Sequence, residues 1–222
     1  MAQRTAIIAG ATGLVGSLCL KQLLDDPAYA RVTAILRRPS GRSHPKLTET
    51  IIDFDNLSSL APIAADDAFC ALGTTNTKAG SQETYRKIDL GYSKAFAEFA
   101  LAGGAKQFAL VSSVGANARS RTFYLRTKGE IEDAVAALPF PSVHIFQPSF
   151  LMGARQEQRA GEGAGLALAK LLQFAFVGGF SKYRPILAAT VAAAMIAAAK
   201  NAEPGRHNYL FHDMQVLTAS AV

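Results

Sequence analysis

Gly10-Ala11-Thr12-Gly13-Leu14-Val15-Gly16 decides how this chain folds. The apolar run Ala6-Ile7-Ile8-Ala9 precedes it, and Leu18-Cys19-Leu20-Lys21-Gln22-Leu23-Leu24 follows. That order reads as a buried strand over Ala6–Ala9, a glycine turn, and an amphipathic helix over Leu14–Leu24. Such a turn lets backbone approach a diphosphate, and the helix beyond it offers free N–H groups and the positive end of its dipole. Gly10, Thr12, Gly13, Leu14, Val15 and Gly16 are therefore candidate ligand contacts. The spacing is G-x-x-G-x-x-G, one residue longer at the first gap than the usual dinucleotide fingerprint. Three glycines in a tight turn can also serve strand–helix packing alone, so the rest of the chain has to discriminate.

Outward from the turn, short apolar runs alternate with helical patterns. Strands are expected at Val32–Leu36, Thr50–Ile52, Ala68–Leu72, Phe108–Val111 and Val143–Phe146. Helices are expected at Glu83–Ala102, stopped by Gly103-Gly104, and at Thr122–Leu138, ended by Pro139. Alternating strand and helix with near-continuous apolar strands implies an α/β fold, a Rossmann-type doubly wound parallel sheet with helices on both faces. In the last third, Met152–Gly165 reads as a polar loop and Leu166–Phe176 as an amphipathic helix ending in Val177-Gly178-Gly179. Ala188–Lys200 reads as an alanine-rich helix on the sheet and Asn208–Phe211 as a last strand. No Pro/Ser linker marks a second domain. Residues 1–222 read as one nucleotide-binding domain, with 151–187 as a small C-terminal segment capping the substrate end beyond the strands.

The 222 residues are 50% hydrophobic and 18% charged, enough for a sizeable core and unlike a disordered chain. Cys19 and Cys70 fall inside predicted elements and read as buried thiols, and no Cys/His spacing suggests a metal. No signal peptide and no apolar stretch of about 20 residues is apparent, so a cytoplasmic protein without stable membrane insertion is expected. The net charge of +6 is spread along the chain except for Arg37, Arg38, Arg42 and Lys46. That cluster fits a polyanionic cofactor, and nucleic acid is not the expected partner.

Strand Phe108–Val111 runs into Ser112-Ser113-Val114-Gly115, and Tyr124-Leu125-Arg126-Thr127-Lys128 opens the next helix. Tyr124 and Lys128, at i and i+4, share one helical face. An ammonium beside a phenol stabilises its phenolate, which suits acid–base work, and Lys128 can also hydrogen-bond a ribose. A serine hydroxyl at the end of the strand would hold the reacting oxygen; Ser113 is the first choice and Ser112 the alternative. This is equipment for moving a proton while a nicotinamide moves a hydride.

In this order the residues resemble the short-chain dehydrogenase/reductase superfamily over roughly Arg4–Gly153, in its extended and atypical branches. Cys70-Ala71-Leu72-Gly73-Thr74-Thr75, Lys78-Ala79-Gly80-Ser81, Ser112-Ser113-Val114-Gly115-Ala116 and Tyr124-Leu125-Arg126-Thr127-Lys128-Gly129-Glu130 narrow the match. They look like the Tat-interacting-protein oxidoreductase family and its bacterial NAD(P)-binding, epimerase-like relatives. The resemblance implies NADPH binding and a Ser113/Tyr124/Lys128 centre, without a known substrate. It makes Asp53 a candidate for the adenine amino group; an Asp-type turn before Phe54 is the other reading. Where many relatives carry a relay asparagine, this chain has Lys87-Ile88-Asp89-Leu90-Gly91, so Asp89 either stands in for it or serves packing. Where extended relatives show Arg-Pro-Gly, it has Gln147-Pro148-Ser149, which argues against a sugar-nucleotide substrate.

The end of the second strand chooses the cofactor. A carboxylate there would bind a 2′-hydroxyl. This chain places Arg37 and Arg38 there, donor forks suited to a 2′-phosphate, so NADPH is expected over NADH. Leu72, Gly73 and Thr74 lie where ribose and diphosphate pass, and Pro148, Ser149 and Phe150 where the carboxamide would sit. The leading expectation is an NADPH-dependent oxidoreductase acting on a small carbonyl or quinone-like molecule. The alternative is a catalytically weak NADPH-sensing protein that docks a protein partner, or a second copy of itself, through its C-terminal region around Leu166–Phe180.

Overall fold

The computed structural model describes residues 3–74, 79–153 and 178–219. Seven parallel strands form the central sheet: β1 (Arg4–Ala9), β2 (Tyr29–Leu36), β3 (Leu47–Ile51), β4 (Asp67–Cys70), β5 (Gln107–Val111), β6 (Ser142–Phe146) and β9 (Gly205–Tyr209). Their order is β3-β2-β1-β4-β5-β6-β9, so the chain reverses its direction of travel between β1 and β4. Ligands of open α/β sheets bind at that switch, beyond the carboxyl ends of the strands. A second sheet is a two-residue parallel pair of β7 (Leu151–Met152) and β8 (Ile186–Leu187).

The strands are apolar throughout because both faces are covered. Ala6 and Ile8 of β1 join Val32, Ala34, Phe69 and Phe146 on one side. Helix α1 (Leu14–Asp25) and the alanine-rich α5 (Ala188–Asn201) cover that side through Cys19, Leu23, Val191 and Met195. Ile7 and Ala9 face the other side with Ile35, Cys70, Leu110 and Ile145. There Phe96 and Phe99 of α3 (Ser93–Ala102), Ile131 and Val135 of α4 (Phe123–Ala136), and the 3₁₀ turn Phe54–Ser59 close the core. The period of two puts alternate residues of one uninterrupted run into two cores.

Several boundaries differ from expectation. The strand expected at Thr50–Ile52 spans Leu47–Ile51, because an edge strand alternates polar and apolar residues and its apolar signal is weak. The strand expected at Ala68–Leu72 begins at Asp67, a fully buried carboxylate satisfied by Arg4 Nε at 2.6 Å and the Tyr29 hydroxyl at 2.8 Å, and leaves the ladder after Cys70. The last strand is Gly205–Tyr209 instead of Asn208–Phe211, and Phe211 opens an unforeseen helix α6 (Phe211–Ala219). Met152 belongs to β7, not to a loop. The remainder of the loop expected at Met152–Gly165 past Gly153, and the helix expected at Leu166–Phe176, lie outside the described residues. The single helix expected at Glu83–Ala102 is three segments: α2 (Gln82–Arg86), a π-helical turn Lys87–Tyr92, and α3. Among the described residues no helix is long and apolar enough to cross a membrane, and no group of three or more His, Cys, Asp or Glu could hold a metal ion.

Candidate active site

The glycine turn leaves β1 with φ +82° at Gly10. A Cβ on Gly10 would stand 2.3 Å from the Ala71 carbonyl oxygen, and one on Gly16 would stand 2.1 Å from the Gly10 oxygen. These two glycines therefore serve close backbone packing, as the bland reading of the motif holds. Gly13 differs: its N–H donates to the Gly10 oxygen at 2.9 Å, and it caps α1 without a side-chain acceptor. The first turn of α1 also lacks an acidic residue. The N–H groups of Leu14, Val15 and Gly16 come before Ser17, whose N–H opens the helical ladder by donating to the Gly13 oxygen at 2.9 Å, so they are placed to meet a bound anion. Among the described residues, the turn and the uncapped helix fit a dinucleotide diphosphate. Arg37 and Arg38 are exposed just past the end of β2. Their neighbour Ser40 gives its hydroxyl to Glu49, while Arg42 reaches the Ser17 carbonyl at 3.3 Å and closes the loop onto α1. Asp53 caps the turn Phe54–Ser59 by accepting from the Asp55 N–H at 3.2 Å and is exposed beyond β3.

Past β4 the chain runs Ala71-Leu72-Gly73-Thr74 across the switch. A Cβ on Gly73 would lie 3.6 Å from Asp89 Oδ1 and 3.9 Å from Lys128 Nζ. Lys128 Nζ stands 2.6 Å from Asp89 Oδ1. The other Asp89 oxygen accepts the Thr74 N–H at 2.9 Å, and the Tyr85 hydroxyl lies 3.3 Å from Oδ1. The Tyr85 ring meets Tyr124 edge-on, with centroids 6.1 Å apart, and Phe123 at 5.6 Å. Burial works against the Lys128 ammonium, but the charge and hydrogen bond of Asp89, with Tyr124 and Cys70 adding to them, together hold the amine above its ordinary value. Burial also raises the Tyr85 phenol and the Cys70 thiol. An ion pair of Arg86 with Glu130 ties α2 to α4.

The two serines after β5 have different fates. Ser112 gives its hydroxyl to Glu132, a buried carboxylate that also accepts both Gln147 contacts, at 2.9 and 3.0 Å. Burial pushes the Glu132 carboxyl up. Ser112 is thus committed to the scaffold. Among the described residues Ser113 has only a long 3.4 Å contact to the Val114 carbonyl, which leaves its hydroxyl for a ligand. Glu132 carried no distinguishing signal in the sequence; its helical spacing of four from Lys128 was the only hint. Gln147 points into this clamp. Pro148 is buried and accepts the Val114 N–H at 3.0 Å, the Ser149 hydroxyl is taken by the Arg184 carbonyl, and Phe150 is 59% exposed. Helix α4 is pressed onto the loop after Ser113, since a Cβ on Gly129 would stand 2.0 Å from the Ala118 nitrogen.

The fold defines a class: a Rossmann-type α/β protein with a glycine turn after its first strand and with Tyr124 and Lys128 one turn apart on α4. The chain belongs to the family described as NAD(P)H-binding, whose model matches residues 10–139. It is similar to "Protein HTATIP2" of Rattus norvegicus, 38% identical over 167 residues that cover 73% of this chain and 69% of that one. It is also similar to "Protein fmp52, mitochondrial" of Aspergillus fumigatus, 42% identical over 166 residues that cover 71% and 70%. Among solved structures, a short chain dehydrogenase family protein from Francisella tularensis superposes with TM-score 0.67 at 15% identity, covering 93% of this chain and 97% of that one. The Bordetella bronchiseptica enzyme WbmH in complex with NAD+ superposes with TM-score 0.69 at 13% identity, covering 94% and 76%; at such identities the likeness shows the fold.

Proposed function

We propose that the protein is an NADPH-dependent oxidoreductase that reduces a small carbonyl or quinone-like substrate. One observation carries the reading: the glycine turn meets Ala71, the strip it leads to runs to Gly73 beside Lys128 and Asp89, and Asp89 connects through Tyr85 to Tyr124. In this reading Leu14, Val15 and Gly16 offer N–H groups to the diphosphate, Leu72, Gly73 and Thr74 flank the ribose, and Arg37 and Arg38 take the 2′-phosphate. Asp53 borders the adenine, and Pro148, Ser149 and Phe150 border the carboxamide. When bound, the nicotinamide supplies the hydride. Tyr124 gives its hydroxyl proton to the substrate oxygen, Lys128 stabilises the phenolate left behind and holds the ribose, and Ser113 orients the reacting oxygen by hydrogen bonding. The place of action proposed is the cytoplasm, whereas the fungal relatives carry "mitochondrial" in their names.

Cofactor titration and turnover test this together. NADPH should bind at least about tenfold more tightly than NADH, and the Arg37→Ala/Arg38→Ala protein should lose the difference. Against a panel of quinones and carbonyl compounds, Tyr124→Phe should lower NADPH oxidation by about a hundredfold or more while leaving NADPH affinity nearly unchanged. Equal affinity for the two coenzymes removes the NADPH assignment. Tight binding with no Tyr124-dependent turnover of any compound would make the protein a cofactor sensor instead.

A further inference from the structure

Lys128 and Asp89 are 7% and 1% exposed, and their charged atoms are 2.6 Å apart. An amine so buried loses its proton unless a charge partner retains it. The partner here comes from a different element. The π-helical turn Lys87–Tyr92 gains a residue relative to α-helical pitch and turns Asp89 inward, toward α4. Its second oxygen is spent on the Thr74 N–H, so one carboxylate fastens the amine to the turn beside Gly73. We infer that Asp89 is the positioning residue of the site: its carboxylate keeps Lys128 an ammonium inside the fold and holds it against the Gly73–Thr74 turn. An asparagine at this place would supply no charge and a single acceptor oxygen, so its amide NH2 would face a donor where the carboxylate accepts on both oxygens, and the carboxylate is not a passive substitute for an amide.

The groups that face Lys128 come from three directions. Asp89 approaches from the π-helical turn with Tyr85 bonded to it, Tyr124 from one turn earlier on α4, and Cys70 from the end of β4. Of these groups Asp89 contributes most to retaining the ammonium, through both its charge and its hydrogen bond, and Tyr124 and Cys70 add to it. For its catalytic consequence this inference rests on the oxidoreductase reading; for the ion pair it does not. Without Asp89, Lys128 becomes a neutral amine near neutral pH, and a neutral amine stabilises neither a phenolate nor an anionic ligand.

The test is the titration of Lys128 itself, followed by the ¹³Cε signal in [¹³C]lysine-labelled protein and assigned through Lys128→Arg. In Asp89→Asn the midpoint should fall by about four pH units, to near 7 or below, and in Asp89→Glu it should stay within about one unit of the wild type. A midpoint in Asp89→Asn that stays within about half a unit of the wild type overturns the inference. If Asp89→Asn does not fold, the Asp89→Asn/Lys128→Met protein decides. Folding of the double variant traces the defect to the unpaired amine, whereas its failure shows that Asp89 acts apart from Lys128 and overturns the inference equally. NADPH oxidation gives the second readout: Asp89→Asn should lose about tenfold more rate at pH 8 than at pH 6, where protonation restores the amine. A wild type that turns over nothing in the panel defeats the oxidoreductase reading and leaves the lysine titration standing.

Discussion

At Gly10 two constraints coincide. The backbone sits at φ +82°, and the space a side chain would need is filled by the Ala71 carbonyl at 2.3 Å. Gly10→Ala must strain the turn and push β1 from the strand that carries the switch, so we expect it to cost about 2 kcal/mol or more in urea denaturation. A loss under about 0.5 kcal/mol would mean that the turn relaxes freely. The motif was readable from its residues, yet its glycines do unlike things. Gly10 and Gly16 answer to packing, while Gly13 leaves α1 uncapped for a ligand. Spacing alone could not separate these roles, because each depends on where the Ala71 carbonyl comes to lie. The two serines teach the same lesson: Ser112 and Ser113 are adjacent and chemically alike, and the position of Glu132 tells them apart.

The stretch 82–102 has continuous helical periodicity, and a single helix is the natural reading. The structure inserts a π-helical turn at Lys87–Tyr92, because a straight α-helix cannot both pack Phe96 and Phe99 on the sheet and aim Asp89 at Lys128. Within that turn Gly91 is exposed, and a Cβ on it would meet nothing within 4 Å. Gly91→Ala should therefore stabilise the protein by about 0.5–1 kcal/mol through helix propensity, as read by thermal or urea unfolding. Destabilisation would show that the wide turn itself depends on glycine. A hydrophobic period reports which residues face the core, but it is blind to one extra residue in a turn when the flanking segments keep their faces.

The sheet closes on β9, whose sequence Gly205-Arg206-His207-Asn208-Tyr209 has almost no strand signal. What recruits it is a stack at the edge. His144 is fully buried, with Nδ1 3.1 Å from the Tyr209 hydroxyl, Nε2 3.0 Å from Gln107 Oε1, and the His207 ring 5.6 Å away. Gln107 Oε1 can only accept, so Nε2 carries the proton, and the neutral ring is satisfied on both sides. Burial, with His207 adding to it, pushes the imidazole down to about 4 from 6.5. The unfolded chain therefore binds the proton first as the medium is acidified. Stability from this group is complete above pH 6.5 and is lost as pH falls toward about 4. Roughly 2–3 kcal/mol should separate the ends of that window in urea denaturation, and His144→Asn should flatten the profile there. Parallel curves for the two proteins between those pH values would contradict the burial argument.

The succession of strands and helices from β1 to β6, the two-sided sheet and the glycine turn were already set by local pattern, because apolar period and turn chemistry act over neighbouring residues. So was the Tyr124/Lys128 face, which needs only the pitch of one helix. The partners of those groups were not. Asp89 is 39 residues from Lys128 and Gln147 is 15 from Glu132, while Arg4 meets Asp67 across 63. Such pairings arise when the sheet brings distant strand ends together and burial obliges every charge and hydroxyl there to find a partner.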